Sequence, residues 1–287
     1  MNLYQLKYFV DAALTGQVSE AARLNHVSQS AVSQAIKNLE STLNCPLLVH
    51  RKNRFQLTDE GKIALKHAQA VFDAVSNLKS QVEQSQGELK GELHLGSTLS
   101  LGANFLPPYL SQVKARHPGV NLKVRLGDQE TVKNWVRDGI VELGVGLDDH
   151  HRDETIASTV IGRGEHYLVQ SPSSKFKLRT DGVVVSRADS HEVKVLRQKL
   201  KAALGIELKI AMEIVSWDAI RSYVLAGHGF GLCPDYVVQM DIEAGRLKRV
   251  PVKGLSLPYE LTVLQRKSRV LSKSAAMFFE LLKQKAD

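Results

Sequence analysis

Residues 26–40 read HVSQSAVSQAIKNLE, and this segment predicts a helix with one apolar and one polar face. Ser28 is placed to accept a hydrogen bond from the free amides of the first turn, as an N-cap residue does. Apolar side chains recur at helical spacing and should face a core: Val32, Ile36, Leu39 and Leu43. The opposite face carries short or amide-bearing side chains and one cation: Ser28, Gln29, Ser30, Ser33, Gln34 and Lys37.

This polar face has the chemistry of a surface that reads DNA bases. A Gln amide can bond both N6 and N7 of adenine, a Ser hydroxyl can bond either base edge, and a Lys can reach guanine or a phosphate. The alternative is an ordinary solvated helix face. The face alone does not decide between the two.

Two shorter helical patterns precede this segment. Apolar residues between Leu3 and Leu14 keep helical spacing up to Gly16, which can adopt the left-handed conformation that ends a helix. A short helix from Glu20 to Leu24 should follow, and Ser19 is its expected N-cap. Three helices in this order, with the polar face on the third, predict a helix-turn-helix.

A cationic hairpin is predicted directly after the third helix. The residues Asn44-Cys45-Pro46 end that helix, and Leu47 to Val49 and Phe55 to Leu57 read as short strands. The turn between the strands carries three cations: Arg51, Lys52 and Arg54. Such a tip suits phosphates or a narrow minor groove. We therefore expect a winged helix-turn-helix DNA-binding domain in residues 1–58.

The run from Leu3 to Gly61 resembles the amino-terminal domain of LysR-type transcriptional regulators. The matching stretches keep a consistent spacing: residues 6–10, 21–24, 26–33, 36–40, 46–48 and 57–61. Gln34 and His50 stand where the family usually has arginine, so the operator preference of relatives should not be transferred to this chain. The resemblance implies a sequence-specific transcription regulator controlled by a small-molecule effector.

A long helix is predicted to connect this domain to the rest of the chain, over residues 59–87. Thr58 is its expected N-cap, and Asp59 and Glu60 place negative charge in the first turn. Its apolar residues follow a heptad pattern: Ala64, Ala68, Val71, Val75, Leu78 and Val82. This seam predicts a homodimer, and the alternative is that it packs on the chain's own carboxy-terminal part. The resemblance favours the dimer, and the family often forms tetramers.

Residues 88–287 alternate strand and helix patterns, which predicts a parallel α/β sheet. We expect one helix from Gly102 to His117 and two short strands, near Ala157–Ile161 and Glu165–Gln170, that carry the chain between two subdomains. Subdomain I should comprise about residues 91–161 and 266–287, and subdomain II about residues 162–265. The fold class is thus α/β multidomain, with a two-subdomain effector domain at the carboxyl end.

This region resembles the effector domain of the same family, which is itself similar to periplasmic binding proteins. Ser97, Thr98 and Ser100 lie where the first strand meets its helix, and their hydroxyls with the helix amides predict an anion site. The alternative is simple helix capping. Asp128 and Ser216 match effector-facing positions in the family. Asp128 would repel an anion, so it suggests an amine, a hydroxyl or no contact.

Composition narrows the classes of function. The net charge is +8, but the first sixty residues are nearly neutral, so the DNA-binding assignment depends on local clusters. No apolar run is long enough to span a membrane, and no leader pattern opens the chain, so we expect a cytoplasmic protein. Cys45 and Cys233 are read as ordinary buried thiols. The pair His150-His151 is a poor metal candidate, and the glycine-rich residues 227–231 fit helix termination better than phosphate binding.

The expected partners are double-stranded DNA, an unidentified small-molecule effector, further copies of the chain and, as a further candidate, RNA polymerase. No cofactor, metal or catalytic group is expected. Two alternatives differ from an effector-controlled regulator. One is an α/β enzyme carrying a DNA-binding head, and the other is a constitutive DNA-binding regulator with a vestigial cleft.

Overall fold

The computed structural model describes residues 1–51, 54–85, 89–148 and 153–284, without the side chains of residues 50, 51, 54, 77, 79–81 and 83–85. The chain divides into two compact units. The first unit comprises Met1–Glu88 with the short segments Asp138–Ile140 and Lys267–Ser272. The second unit comprises Leu89–Arg137, Val141–Arg266 and Lys273–Asp287.

The first unit begins with three helices: α1 (Leu3–Thr15), α2 (Val18–Asn25) and α3 (Gln29–Leu43). Gly16 ends α1 in the left-handed conformation, at φ 69°, as predicted. The N-cap of α3 is confirmed, since the Ser28 hydroxyl accepts from the Ala31 amide at 3.2 Å. The expected cap of α2 is wrong: the helix begins two residues earlier, at Val18, Gln17 is the N-cap residue, and Ser19 lies inside the first turn.

A hairpin and a long helix complete the first unit: β1 (Leu48–Arg51), β2 (Arg54–Leu57) and α4 (Asp59–Ser85). The predicted hairpin is confirmed by antiparallel pairing from Leu48 opposite Leu57 to Arg51 opposite Arg54. Thr58 caps α4, because its hydroxyl accepts from the Gly61 amide at 2.8 Å. The helix is about 40 Å long.

The core of this unit lies between the three short helices, the hairpin and the start of α4. Phe9, Leu39 and Leu47 are fully buried there, and Ala68 contributes from α4. Val32, Ile36 and Leu39 face this core as predicted. Leu43 does not, since its side chain is 41% exposed at the end of α3. Leu3, at the start of α1, is likewise 48% exposed.

The second unit contains the remaining elements. In chain order they are β3 (Gly91–Thr98), α5 (Leu99–Asn104), α6 (Pro107–Arg116), β4 (Val120–Gly127), α7 (Gln129–Arg137), β5 (Leu143–Leu147), β6 (Ile156–Gln170), α8 (Leu178–Asp181), β7 (Val183–Val185), α9 (His191–Leu204), β8 (Ile210–Glu213), α10 (Trp217–Leu225), β9 (Phe230–Pro234), α11 (Asp235–Glu243), β10 (Lys248–Arg249), β11 (Pro258–Arg266) and α12 (Lys273–Lys283).

The strands join in the order β4-β3-β5-β11-β6-β9-β7-β8, with β10 beside β6. Strand β3 is parallel to β4 and β5, and β7 is parallel to β8 and β9. Strand β11 is antiparallel to both β5 and β6, and β6 is antiparallel to β9. The prediction of a parallel sheet is therefore wrong: the sheet is mixed. Strands β6 and β11 run antiparallel to their neighbours. The alternation of strand and helix patterns in the sequence does not reveal the direction of these two strands.

Strand β6 joins the two lobes of this unit. Its first half pairs with β11 and its second half pairs with β9. The sequence predicted two short strands here, and the structure shows one strand with a register shift opposite Leu261 and Thr262. Such a bulge allows one strand to bend between two sheets.

Other differences from the sequence prediction are local. The expected helix from Gly102 to His117 is two helices, because Pro107 is the first residue of α6 and has no amide hydrogen with which to continue α5. Helices α8 and α11 and strand β10 were not predicted. The glycine-rich segment after α10 ends that helix as expected, with positive φ at Gly227 and Gly229.

Candidate functional site

The polar face of α3 is presented to solvent. The predicted reading residues on it are exposed, apart from a half-buried Ser33: Ser28, Gln29, Ser30, Gln34 and Lys37. The hydroxyls of Ser28 and Ser30 lie 2.9 Å apart, and the Gln34 amide donates to Asn38 Oδ1 at 2.9 Å. These contacts hold the polar groups near the helix surface. The predicted reading residues include no bulky apolar side chain, so base edges could approach their polar groups.

The wing is fixed to the helical core by contacts at its base. The Glu40 carboxylate of α3 accepts from the amides of Leu47 and Leu48 at 2.8 and 3.1 Å. The Phe55 amide donates to the Gly16 carbonyl at 3.2 Å. The position of the hairpin relative to α3 is thereby set. Of the predicted tip, Lys52 lies outside the described residues, and the side chains of Arg51 and Arg54 lie outside them as well.

The apolar seam of α4 is partly covered. Ala68 is buried and Ala64 and Val75 are half-buried, whereas Val71, Leu78 and Val82 are 38%, 62% and 51% exposed. Within the same unit, other residues of α4 contact later parts of the chain. The Ser268 hydroxyl donates to the buried Asp73 carboxylate at 2.9 Å, and the Gln69 amide donates to Asp138 Oδ1 at 3.4 Å. The far part of the seam remains accessible to another helix.

A cavity of about 270 Å³ opens in the second unit, and we refer to it as the cleft cavity. Its walls come from the carboxyl ends of β3, β4, β5, β7 and β8, including Thr98, Asp128, Asp148, Ser186 and Ser216. In open α/β sheets, ligands bind beyond the carboxyl ends of the strands. The structure thus brings Thr98, Ser100, Asp128 and Ser216 together, although they are far apart in the sequence.

The hydroxyls of Thr98 and Ser100 are the most distinctive polar groups of the cleft cavity. Both oxygen atoms are buried. The Thr98 hydroxyl has no hydrogen-bond partner within the described chain, whereas the Ser100 hydroxyl faces the Tyr236 hydroxyl and interacts with it. Thr98 occupies the N-cap position of α5 without accepting a capping hydrogen bond, so helix capping does not account for its hydroxyl. Ser97 differs, since its fully buried hydroxyl donates to the Thr98 carbonyl at 3.2 Å and it does not line the cavity.

Asp128 and Ser216 both line the cleft cavity and cap a helix. The Asp128 carboxylate accepts from the Thr131 amide at 2.7 Å, and this backbone hydrogen bond is the main reason that its pKa is lowered. The Ser216 hydroxyl accepts from the Ala219 amide at 3.2 Å. Each can still present a second acceptor position to the cavity.

Sequence reasoning missed several residues of the cleft cavity. Asp148 and Asp218 add carboxylates beside Asp128, and Asp218 is held by the Asn104 amide at 2.8 Å. Among the described lining residues there is no Lys or Arg. The charge of the cavity is therefore negative and opposes a simple anion. No motif in the sequence marks either residue, and only the strand order shows that the turn after β5 lies beside the turn after β8, which also carries Ser216.

Other candidate sites have no counterpart in the described part of the chain. No cluster of three or more His, Cys, Asp or Glu able to hold a metal occurs among the described residues, and His150 and His151 lie outside them. Cys233 is fully buried, and burial raises the pKa of its thiol, which disfavours the reactive thiolate. Cys45 is half-buried. No helix in the described ranges has the length and apolar character needed to cross a bilayer.

A helical head with an exposed polar face on α3 is here part of the same chain as a two-lobed α/β domain with a ligand-sized cavity. That combination is the architecture of a ligand-responsive transcription regulator. Family comparison agrees. The model of the bacterial regulatory helix-turn-helix proteins of the lysR family matches residues 3–62, and the model of the LysR substrate binding domain matches residues 86–287. The chain belongs to the LysR family and is a DNA-binding transcriptional regulator with an effector-binding domain.

Individual relatives agree with this assignment over the whole chain. The regulator IlvY of Escherichia coli K12 is 27% identical over 98% of this chain and 99% of its own length. The activator CmpR of a Synechocystis strain is 23% identical over 98% of this chain and 94% of its own length. Among solved structures, a full-length OxyR variant from Pseudomonas aeruginosa covers 99% of this chain and 94% of that chain, at 18% identity and a TM-score of 0.71. The structural similarity shows a shared fold.

Proposed function

We propose that α3 enters the major groove of the operator and that the wing contacts the flanking backbone. Base edges would be read by Ser28, Gln29, Ser30, Ser33, Gln34 and Lys37, and phosphates would be bound by Arg51, Lys52 and Arg54. The single observation that carries this assignment is the exposed polar face of α3 with its capped first turn. The relatives DarR of Vibrio fischeri and CbnR have been crystallised with DNA, which supports the same use of the fold.

Gel-shift titration on operator DNA tests the two assigned faces. Lys37→Ala should weaken specific binding by about 1–3 kcal/mol if Lys37 reads a base, and Arg51→Ala should weaken binding to all sequences and reduce the salt dependence by about one unit of slope. Lys123→Ala, in the effector domain, is the matched control and should bind normally. Unchanged affinity in both Lys37→Ala and Arg51→Ala would contradict the assigned faces.

The exposed part of the α4 seam supports a homodimer, which would present two copies of α3 to two half-sites. Leu78 is the most exposed of the seam residues and is the clearest test. Leu78→Glu should shift the protein toward monomer in sedimentation velocity, because the carboxylate would be buried in the helix pair. Lys66→Glu places the same side chain on an exposed position outside the seam and should leave the dimer intact. Pairing of dimers into tetramers, and contact with RNA polymerase, are extensions of this proposal.

The cleft cavity is the proposed effector site, with Thr98, Ser100, Asp128 and Ser216 as contacts and Ser97 supporting the turn that presents Thr98. The carboxylates of Asp128, Asp148 and Asp218 favour a small effector that carries an amino group, and the Thr98 hydroxyl, which has no partner within the described chain, favours an oxygen atom on the same molecule. This revises the anion site that the sequence predicted. The relative LysG of Corynebacterium glutamicum has been solved with arginine as its bound effector, which is a molecule of this kind.

Thermal stabilisation by a panel of amino acids, beginning with L-arginine, tests the effector proposal. A ligand that raises the melting temperature of the unmodified protein should raise that of Thr98→Val by a smaller amount. This substitution keeps the shape of the side chain and removes the hydroxyl. We infer a cytoplasmic regulator rather than an enzyme. The ligand should therefore be recovered chemically unchanged after incubation with the protein. Turnover of the ligand would favour the enzyme alternative, and an absence of stabilisation across the panel would favour a constitutive regulator.

A further inference from the structure

A second cavity, of about 760 Å³, lies in the same unit beside the cleft cavity. Its walls come from β6, the first turn of α9 and the segment 256–260 that leads into β11. Leu147, Asp148 and Trp217 line both cavities and therefore form the wall between them. Its volume lies in the range of small-molecule sites, which is roughly 300–1,000 Å³.

His166 is the polar group in the second cavity that most needs a partner. The side chain is 8% exposed, and its Nδ1 lies 3.2 Å from the Leu257 carbonyl oxygen. A carbonyl oxygen only accepts, so Nδ1 carries the proton of this hydrogen bond. Burial lowers the pKa of His166, against the opposing effect of nearby carboxylates, and so favours the neutral ring. Nε2 is then an acceptor, and it has no partner within the described chain.

The charges around His166 favour a cation. Arg163 pairs with Glu260 at 2.8 Å, so the charge of this guanidinium is balanced by a carboxylate that lines the same cavity. The Glu192 carboxylate is half-buried at the edge of the same cavity, close enough to act electrostatically on His166. An anion in this space would face Asp148 and Glu192 without a free guanidinium. An ammonium group would be attracted by both carboxylates.

Aromatic rings give the second cavity an apolar wall. The rings of Trp217 and Tyr259 stand edge-on to the His166 imidazole, with centroids 5.8 and 5.3 Å away. Aromatic faces attract cations as well as apolar groups. The segment beside them is held in place, because the Glu165 carboxylate accepts from the Ser256 hydroxyl and the Leu257 amide at 2.8 and 2.7 Å. The walls are thus built before any ligand arrives.

We propose that the second cavity is a separate site for an organic ammonium ion with an apolar body. The ammonium group donates a hydrogen bond to His166 Nε2 and is paired with the Glu192 carboxylate, while the body packs on Trp217 and Tyr259. This site is additional to the effector site proposed in the cleft cavity. Because Trp217 belongs to both, a ligand in one cavity contacts the wall of the other.

Calorimetric titration of the full-length protein with 2-phenylethylamine tests the ligand class. The cationic amine should bind, and 2-phenylethanol and phenylacetate, which are neutral and anionic relatives of similar size, should bind at least about tenfold more weakly. Equal binding of the three compounds would show that the cavity selects only an apolar body and would overturn the proposal. Preference for phenylacetate would overturn it as well.

Three carboxylate variants locate the amine. Glu192→Gln should weaken amine binding about tenfold, because it removes a charged partner. Glu130→Gln is the matched control: Glu130 also lies in the first turn of a helix, and it lines neither cavity. In protein labelled with nitrogen-15 at histidine, the amine should shift the Nε2 resonance of His166. A loss of binding in Asp128→Asn but not in Glu192→Gln would place the amine in the cleft cavity and refute a separate site. An unshifted His166 resonance at saturation would also refute it.

Discussion

The DNA-binding unit and the effector unit hold their functional groups by different means. In the first, the supporting contacts are mostly local: Ser28 caps its own helix, and Glu40 holds the strand that follows a short turn. In the second, the cleft cavity collects Thr98, Asp148 and Ser216 from strands that lie far apart in the sequence. A change in the first unit should therefore damage one local junction. A change in the second should act through the packing of the lobes.

The largest effect is expected from Gly61→Ala, at the junction of the hairpin and α4. Alanine normally stabilises a helix relative to glycine, by about 1 kcal/mol. Here a Cβ atom would lie 2.1 Å from the backbone oxygen of Leu47, so the hairpin or the helix must move. We expect a net loss of about 3 kcal/mol, measured as faster hydrogen exchange in the first unit only.

Gly16→Ala is the matched control for this prediction. Gly16 has a φ of +69°, but a Cβ atom there meets nothing within 4 Å. Only the left-handed conformation is penalised, which costs about 1 kcal/mol. If both variants lose the same stability, steric contact at Gly61 is not what holds the junction. Faster exchange in the second unit would contradict the independence of the two units.

A smaller loss, about 2 kcal/mol, is expected from Asp241→Ala in the effector unit. The Asp241 side chain is fully buried and accepts from the guanidinium groups of Arg221 and Arg246. These arginines are 30% and 56% exposed, so water partly compensates for the lost carboxylate. Hydrogen exchange should rise around α10 and α11 and stay unchanged in α3. An effect confined to the first unit would contradict the prediction.

The acid dependence of stability tests the contribution of Asp241 in a second way. Burial raises the pKa of Asp241, but the hydrogen bonds from Arg221 and Arg246 outweigh it, and the net pKa lies below the ordinary value of 3.8. The stabilisation is therefore fully present above pH 3.8 and is lost as the pH falls through the lower pKa of the folded state. In Asp241→Asn, the free energy of unfolding should depend less on pH across this acid range. An unchanged acid profile would show that other carboxylates control it.

The contrast between local contacts in the first unit and long-range contacts in the second explains which features could be predicted from the sequence. The three helices, the hairpin and the cap at Thr58 were predicted, because each depends on residues within one or two turns. The mixed sheet was missed, since β11 returns between β5 and β6 from the far end of the domain. Thr98, Ser100, Asp128 and Ser216 were named through family resemblance and strand ends. Asp148 and Asp218 were not named, because no motif in the sequence marks them and their place in the cavity depends on the strand order.

The smallest effect tests this contrast inside the DNA-binding unit, at two serines that the sequence treats alike. Ser28→Ala removes the acceptor of the Ala31 amide and should destabilise α3 by about 1 kcal/mol, with a weaker gel shift because the first turn carries Gln29 and Ser30. Ser19→Ala should cost almost nothing, since Ser19 lies exposed inside α2 and Gln17 is the cap residue. Thermal denaturation of both variants measures the difference. Equal losses of stability in the two variants would mean that Ser19, and not Gln17, caps α2 in solution. That result would contradict the prediction.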